Sequence, residues 1–329
     1  MAGNIYTIAP TVSFVDSLAK GILDRFGSGG PLKLAEILIL LPNRRSCRAL
    51  REAFLNNSLG KSILLPKIRP IGDLDEEGIA LLSEGSLGNL TLPISTLRRK
   101  IILTRLILEW SKNKTIKDKA EPISPDQAFC LAEEVAGFFD EMQREKIPLS
   151  ELKNIVPDEL AKHWQLTLDF FSIITEEWPQ ILEKENLTDP MHHRNVLIEE
   201  LARVWQTKPP NYPVILAGST GSTKATSILI KAISQLPQGY IVLPGLDKVS
   251  DNKYWDNLEK YHPQFGLKQI LVLLKMERYQ IQDWSEEKNK ERFKLASEIM
   301  RPSAVINDWM NLNIKEEGLN GIKIIEQMI

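Results

Sequence analysis

The chain has 329 residues, 43% hydrophobic and 26% charged, with a formal net charge of −2. That balance supports one large or two ordinary apolar cores and excludes disorder as the main state. No stretch approaches the roughly 18 uninterrupted apolar residues of a membrane span. Met1-Ala2-Gly3-Asn4 also lacks the basic flank and apolar core of a secretory signal, so a cytoplasmic chain with no membrane partner is expected. Two cysteines, Cys47 and Cys130, are too few for a disulfide framework, a zinc site or an iron–sulfur cluster supplied by this chain alone. Both read as buried small hydrophobes.

The first predicted element is a strand over 5–9, β-branched and aromatic and ended by Pro10. Phe14, Leu18, Ile22 and Phe26 then recur at helical spacing. The continuous apolar run 37–41 reads as a strand of a parallel sheet buried on both faces, and a basic helix follows from Asn43 to about Asn57. Residues 63–65 and Ile68 predict a third strand interrupted by proline. From about 94 to 207 the period lengthens to near 3.6, with no convincing strand.

That block is expected to be all-helical. Ser124-Pro125 marks one helix start, with Ala128, Leu131, Val135, Phe138, Phe139 and Met142 on its buried face. Trp164, Trp178 and Trp205 read as core anchors, and Pro179 as a kink or a stop. Strands return at 213–217 and 239–243, separated by the Gly218–Thr223 turn and a helix over 224–236. The fold class expected is α/β, a parallel-sheet domain built from 1–90 and 208–300, with an all-helical domain, 91–207, inserted between its halves. Residues 301–329 would begin a following region.

Charge is unevenly spread. Residues 31–70 carry eight basic and two acidic side chains, 98–119 again eight and two, and 121–200 six basic against 18 acidic. Such asymmetry predicts a basic face suited to an anionic partner beside an acidic lobe, the alternative being solvated helix faces.

In open α/β sheets ligands bind at the carboxyl ends of the strands. After the first strand a phosphate cradle needs glycines and a lysine, whereas Ala9-Pro10-Thr11-Val12-Ser13-Phe14 has neither. Thr11 and Ser13 are at most a vestigial site. Gly218-Ser219-Thr220-Gly221-Ser222-Thr223-Lys224 follows a strand and opens a helix, but Lys224 stands three residues after the second glycine and is followed by Ala225. It reads as a small-residue turn or an anion site. After the second strand, Asn43, Arg44, Arg45, Ser46 and Arg48 form a credible clamp for a phosphodiester backbone, with Arg51 on the solvated face. Pro125-Asp126 and Glu151-Leu152-Lys153 match the letters of a restriction-type nuclease site, but both fall in helical context. His192, His193 and His163 lack a third metal ligand at suitable spacing.

Several segments together carry a resemblance: Tyr6-Thr7-Ile8-Ala9-Pro10, Leu40-Leu41-Pro42-Asn43-Arg44-Arg45, and Leu65-Pro66-Lys67-Ile68-Arg69-Pro70-Ile71-Gly72-Asp73-Leu74-Asp75. To these are added His163-Trp164-Gln165, Ala217-Gly218-Ser219-Thr220-Gly221-Ser222 and Leu243-Pro244-Gly245-Leu246-Asp247. The chain resembles, over nearly its whole length, the amino-terminal part of AddB in its alphaproteobacterial form. AddB pairs with AddA in a helicase–nuclease that resects double-strand DNA breaks for recombination.

The resemblance implies a P-loop-NTPase-like, superfamily 1 helicase-like domain with a helical insertion. It implies DNA, as a single strand or tailed duplex, and an AddA-like subunit as partners. Asn43 onward falls where that superfamily touches single-stranded DNA, and Gly245 to Asp247 fall at its third motif. Ala217-Gly218 stands where an active member has its Asp-Glu pair, so no ATP hydrolysis is expected of this chain. The whole family member continues into a second helicase-like half and a nuclease domain with an iron–sulfur cluster. The chain is therefore expected to be a fragment or truncated product, with ATP, magnesium and the cluster belonging to the full complex.

Overall fold

The computed structural model describes residues 4–29, 31–58, 63–71, 90–118, 122–148, 151, 170–171, 173–221, 223–286 and 290–311. The chain divides into two compact units, one of 1–74, 201–222 and 226–329, the other of 75–200 and 223–225. The strands are β1 (Asn4–Ile8), β2 (Leu38–Leu41), β3 (Lys67–Pro70), β4 (Leu92–Pro93), β5 (Leu187–Thr188), β6 (Val214–Ala217), β7 (Gly239–Pro244) and β8 (Gln282–Asp283). The α-helices are α1 (Phe14–Phe26), α2 (Pro31–Glu36), α3 (Arg44–Asn57), α4 (Thr96–Asp118), α5 (Pro125–Arg144), α6 (Trp178–Glu185) and α7 (Pro190–Thr207). They continue with α8 (Lys224–Ser234), α9 (Asn252–Asp256), α10 (Phe265–Leu274) and α11 (Lys290–Ile299).

The first unit is built on a six-stranded sheet in the order β3-β2-β6-β7-β1-β8, parallel at every pairing. It is a mixed α/β architecture of the P-loop or Rossmann-like type. Leu38 to Leu41 and Val214 to Ala217 are buried at every position, which is why these strands read as unbroken apolar runs. Ile39, Leu41, Ile68, Ile215, Ala217 and Val242 join Leu18 and Ile22 of α1 and Leu50 and Phe54 of α3 in one core. The alternate residues Leu38, Leu40, Leu216, Ile241 and Leu243 are equally buried, so both faces of the sheet are covered. Each such aliphatic side chain contributes about 1.5–3 kcal/mol.

Two details position α1. The Trp284 amide donates to Thr7 O at 2.8 Å, and its indole Nε1 donates to Ser17 O at 3.2 Å. The Arg25 guanidinium covers the indole at 3.9 Å. Gly21 is the residue that lets the ring lie on the helix, since a Cβ there would come within 2.2 Å of Trp284 Nε1.

The third strand is shorter than the sequence suggests. Residues 63–66 lie outside any strand and Leu64 is half exposed. Pro66 has no N–H to give the ladder, which starts with the Lys67 amide on Ile37 O at 2.9 Å.

In the second unit α4 packs on α5, and Leu103, Ile107, Ala128, Ala132, Val135, Phe139 and Trp178 form the core. The Ser124 amide donates to Gln127 Oε1 at 3.1 Å at the start of α5, with Pro125 in the first turn. The unit is not purely helical: β4 and β5 form a two-residue parallel ladder, Leu92 against Leu187 and Pro93 against Thr188. Leu131 and Phe138 are only partly buried, and Ala132 takes the central place on the helix. Cys130, expected inside, is exposed, whereas Cys47 is buried. Lying two residues from both Ala128 and Ala132, Cys130 is turned about 200° from the buried stripe.

Trp178 and Trp205 are each 1% exposed, while Trp164 falls outside the described residues. Pro179 does not end the helical run; it sits in the first turn of α6, and the winding changes from π over Ile173–Glu177 to α directly before it.

A polar cluster crosses the second unit. Arg99 bonds Asp140 at 2.8 Å and Ala136 O at 3.2 Å. Its Nε lies 2.9 Å from Asp189 Oδ1, off the hydrogen-bond axis, so that contact is Coulombic. Asp189 Oδ2 accepts from Trp178 Nε1 at 2.9 Å and Gln143 Nε2 at 3.0 Å.

Candidate nucleic-acid interface at the carboxyl edge of the sheet

Because every strand of the large sheet is parallel, the loops after β1, β2, β6 and β7 emerge at one edge. At the end of β2 the backbone turns at Asn43, whose φ of −153° and ψ of 168° place it before the helix. Asn43 Oδ1 accepts from the Ser46 amide at 2.8 Å and the Ser46 hydroxyl at 3.0 Å, a cap worth about 1 kcal/mol. Asn43 and Ser46 therefore build the start of α3. Cys47, Leu50, Ala53 and Phe54 fix its buried face, which leaves Arg44, Arg45 and Arg48 exposed in its first turns.

The guanidinium groups add to the partial positive charge of the helix start, where anions are favoured. Arg48 Nε reaches Glu52 at 3.3 Å, with both side chains well exposed. Such a pair is worth at most about 1 kcal/mol and yields readily to a phosphate. Arg51 is exposed, as expected, and only its partner differs. Instead of joining carboxylates on the solvated face it donates to Ile68 O of β3 at 3.2 Å, tying the helix to the edge strand.

In the loops where an NTP-binding sheet would hold phosphates, the glycines are packed against the protein's own side chains. Ser13 precedes α1 without a side-chain cap bond, and Thr11 Oγ1 is buried with no partner. The Phe14 ring lies 3.2 Å from where a Cβ on Gly218 would be, and Pro42 3.7 Å from it. Pro10 packs in the same way on Gly245, 3.4 Å from its Cβ position. The two glycines have φ of +71° and +62°, and their amides are bonded to Val242 O at 2.9 Å and Ile8 O at 2.8 Å. Neither N–H faces outward to a ligand.

Gly221, with φ of +63°, receives the side chain of Ile270 so closely that a Cβ would meet it at 2.9 Å. Its amide donates to Ser219 Oγ at 3.2 Å, and its carbonyl accepts from Ser227 Oγ at 3.1 Å. Gly218 to Gly221 thus make a packed strand-to-helix turn, with Ser219 buried and Thr220 exposed. Lys224 opens α8 with an exposed side chain.

The Gly245 to Asp247 segment is structural. Asp247 is 2% exposed, and its Oδ1 accepts from the amides of Val249 at 2.8 Å and Ser250 at 2.9 Å. Its Oδ2 accepts from the Ser297 hydroxyl. Gln264 clamps the same loop, donating to Gly245 O at 2.8 Å and accepting from the Asp247 amide at 3.0 Å.

Three cations of the second basic stretch are paired inside their own unit. Arg98 pairs with Glu185 at 3.0 Å, Arg99 with Asp140 and Asp189, and Lys100 with Glu133 at 2.6 Å. Part of the acidic excess of 121–200 is therefore its counter-charge. Asp126 stands exposed in the first turn of α5, its carboxyl held below the ordinary range by the Ser124 side chain and its own and neighbouring amides. Glu151 is exposed in a single turn, so the two carboxylates do not lie on adjacent strands. His193 is buried with Nδ1 2.9 Å from Thr91 O, His192 is exposed, and His163 lies outside the described residues. Among the described residues no three potential metal ligands gather, and no helix is long and apolar enough to cross a membrane.

No protein-family model matches the chain, and no curated protein matches it significantly.

Proposed function

We propose that the chain is a non-catalytic, superfamily 1 helicase-like module that binds DNA and acts as a scaffold in a double-strand-break resection complex of the AddB kind, beside an AddA-like motor subunit. The observation that carries the reading is the contrast along one sheet edge. In the loops after β6 and β7, Gly218 and Gly245 are packed against Phe14, Pro42 and Pro10 with their amides bonded within the protein, while the start of α3 presents Arg44, Arg45 and Arg48 outward. The strand order is in keeping with it: β6 and β7 stand between β1 and β2, unlike the dinucleotide-binding order 3-2-1-4-5-6.

ATP and magnesium do not fit the residues present. Ala217 and Gly218 carry no carboxylate, and the amides of Gly218, Gly221 and Gly245 are engaged within the protein. Two cysteines cannot supply the four thiolates of an iron–sulfur cluster. The motor and nuclease steps belong to other parts of the complex, and this chain's arginines hold and orient a single strand by its phosphates.

The test is fluorescence anisotropy of a labelled single-stranded oligonucleotide across a salt series, comparing wild type with Arg44→Ala/Arg45→Ala/Arg48→Ala. Wild-type affinity should fall steeply with salt, and the triple variant should bind more weakly with a slope shallower by about 2, from about 0.7 per single-strand phosphate contact. Equal binding by the two proteins, or no binding by wild type at low salt, refutes the phosphate-contact assignment.

A further inference from the structure

We propose that Lys67 and Arg69 on the edge strand β3 continue the phosphate-binding surface begun by α3, so that one single strand of nucleic acid passes from the start of that helix over the outer edge of the sheet. The inference rests on the DNA-binding reading and adds two residues and a direction to it.

Folding engages some cations of the first basic stretch and leaves others exposed. In the first basic stretch Lys33 is paired with Glu36 at 3.3 Å and Arg48 with Glu52 at 3.3 Å. Arg51 is spent on Ile68 O. Arg69 is exposed and, among the described residues, has no carboxylate within ion-pair distance. Lys67 is also exposed, and its ammonium lies 5.8 Å from the ring centre of Tyr212. A cation beside an aromatic face is the composition of surfaces that hold single strands.

Placement follows from the ladder. Among the described residues β3 is the last strand of the sheet, with nothing paired beyond it. Ile68 points into the core with α3, so Lys67 and Arg69 share the other face, about 6.6 Å apart along the strand. That step suits successive phosphates of an extended chain. Arg69 stands opposite Leu40 of β2, and the chain leaving β2 reaches Arg44 four residues later. Arg51 holds α3 against this strand, so the two groups of cations keep a fixed relation. Lysine on an edge strand also guards against edge-to-edge association, and the experiment separates that role from binding.

The probe is a fluorescein-labelled 20-nucleotide oligothymidylate, titrated with the full chain across a salt series. Wild type is compared with Lys67→Ala/Arg69→Ala, with the charge-preserving Arg69→Lys, and with Arg44→Ala/Arg45→Ala/Arg48→Ala. The double variant should bind severalfold to tenfold more weakly, with a slope shallower by about 1.4, while Arg69→Lys keeps the wild-type slope. Urea unfolding checks that each variant folds, and Arg69→Gln alone, with an expected slope change of about 0.7, serves if the double variant does not. Wild-type slope and affinity in the double variant, with loss in the triple variant, overturn this proposal and leave the α3 assignment standing. Self-association of the double variant with an unchanged slope overturns it in favour of edge protection. Failure of wild type to bind at low salt removes the DNA reading itself.

Discussion

Asp189→Ala removes the carboxylate on which α4, α5 and α6 converge in the second unit. Asp189 and Arg99 are each 5% exposed at the side chain, and Asp189 Oδ2 accepts from Trp178 Nε1 at 2.9 Å and Gln143 Nε2 at 3.0 Å. Breaking a buried ion pair by deleting one partner costs about 3–5 kcal/mol. Here Arg99 keeps Asp140 at 2.8 Å and Ala136 O at 3.2 Å, so its charge is not abandoned and that figure is an upper limit. The indole N–H has no such retreat, because Trp178 is 1% exposed, and an orphaned buried donor costs about 1–3 kcal/mol. Together these give roughly 3 kcal/mol for the alanine variant, and less for Asp189→Asn, which retains an acceptor for the indole. Equilibrium urea unfolding followed by tryptophan fluorescence and far-UV circular dichroism reads the effect as a fall of about 1 M in midpoint at a slope near 3 kcal/mol/M. A loss under about 1 kcal/mol for alanine, or an asparagine variant as unstable as alanine, would show that the carboxylate is not what joins these helices.

Two further outcomes test the first unit. Gly21→Ala should destabilise by about 1–3 kcal/mol despite the better helix propensity of alanine, because the new Cβ would lie 2.2 Å from Trp284 Nε1; a variant as stable as wild type in urea would mean the indole can move aside. Asp251 is held below its ordinary value of 3.8 by the Tyr254 amide and then by Arg301. Its contribution is therefore complete above about pH 4 and lost as pH falls through the lowered value. Asp251→Asn should be slightly less stable than wild type at pH 7, by roughly 0.5 kcal/mol, and the gap should close in strong acid; a gap constant with pH refutes the charge assignment.

Much of the sheet was legible because its strands are buried on both faces. A run such as Ile37-Leu38-Ile39-Leu40-Leu41 has no other comfortable state, and Asn43 with Ser46 announces the helix that follows. Most of the misses depend on a partner distant in sequence. The β4–β5 ladder joins residues 92–93 to 187–188, and two-residue strands carry no periodicity to detect. Cys130 was assigned by residue type, whereas its angular position on α5 decides its exposure. Arg51 reads as solvent-facing within α3, and only the arrival of β3 supplies its acceptor. At the candidate site the missing lysine and carboxylates could be read directly. What occupies their place could not, since Phe14 meets Gly218 only across the folded edge.

The charge pattern shows how far composition can carry a functional argument. Two stretches with the same excess of basic residues have different fates in the fold. In α4 the cations face acidic side chains of α5, the end of α6 and the residue before α7, and three of them are paired within 3.0 Å, so their charge is spent on holding the unit together. In α3 the buried stripe turns Arg44, Arg45 and Arg48 outward, and the intrahelical pair of Arg48 with Glu52 is exposed and weak. An anion approaching the start of α3 meets exposed guanidinium groups, added to the polarised amides of the helix end. At Arg98, Arg99 and Lys100 an anion meets pairs it would have to break, at a cost in the stability of that unit. That difference in exposure, rather than the net charge of either segment, is what supports proposing the carboxyl edge of the sheet as the site for a phosphate backbone.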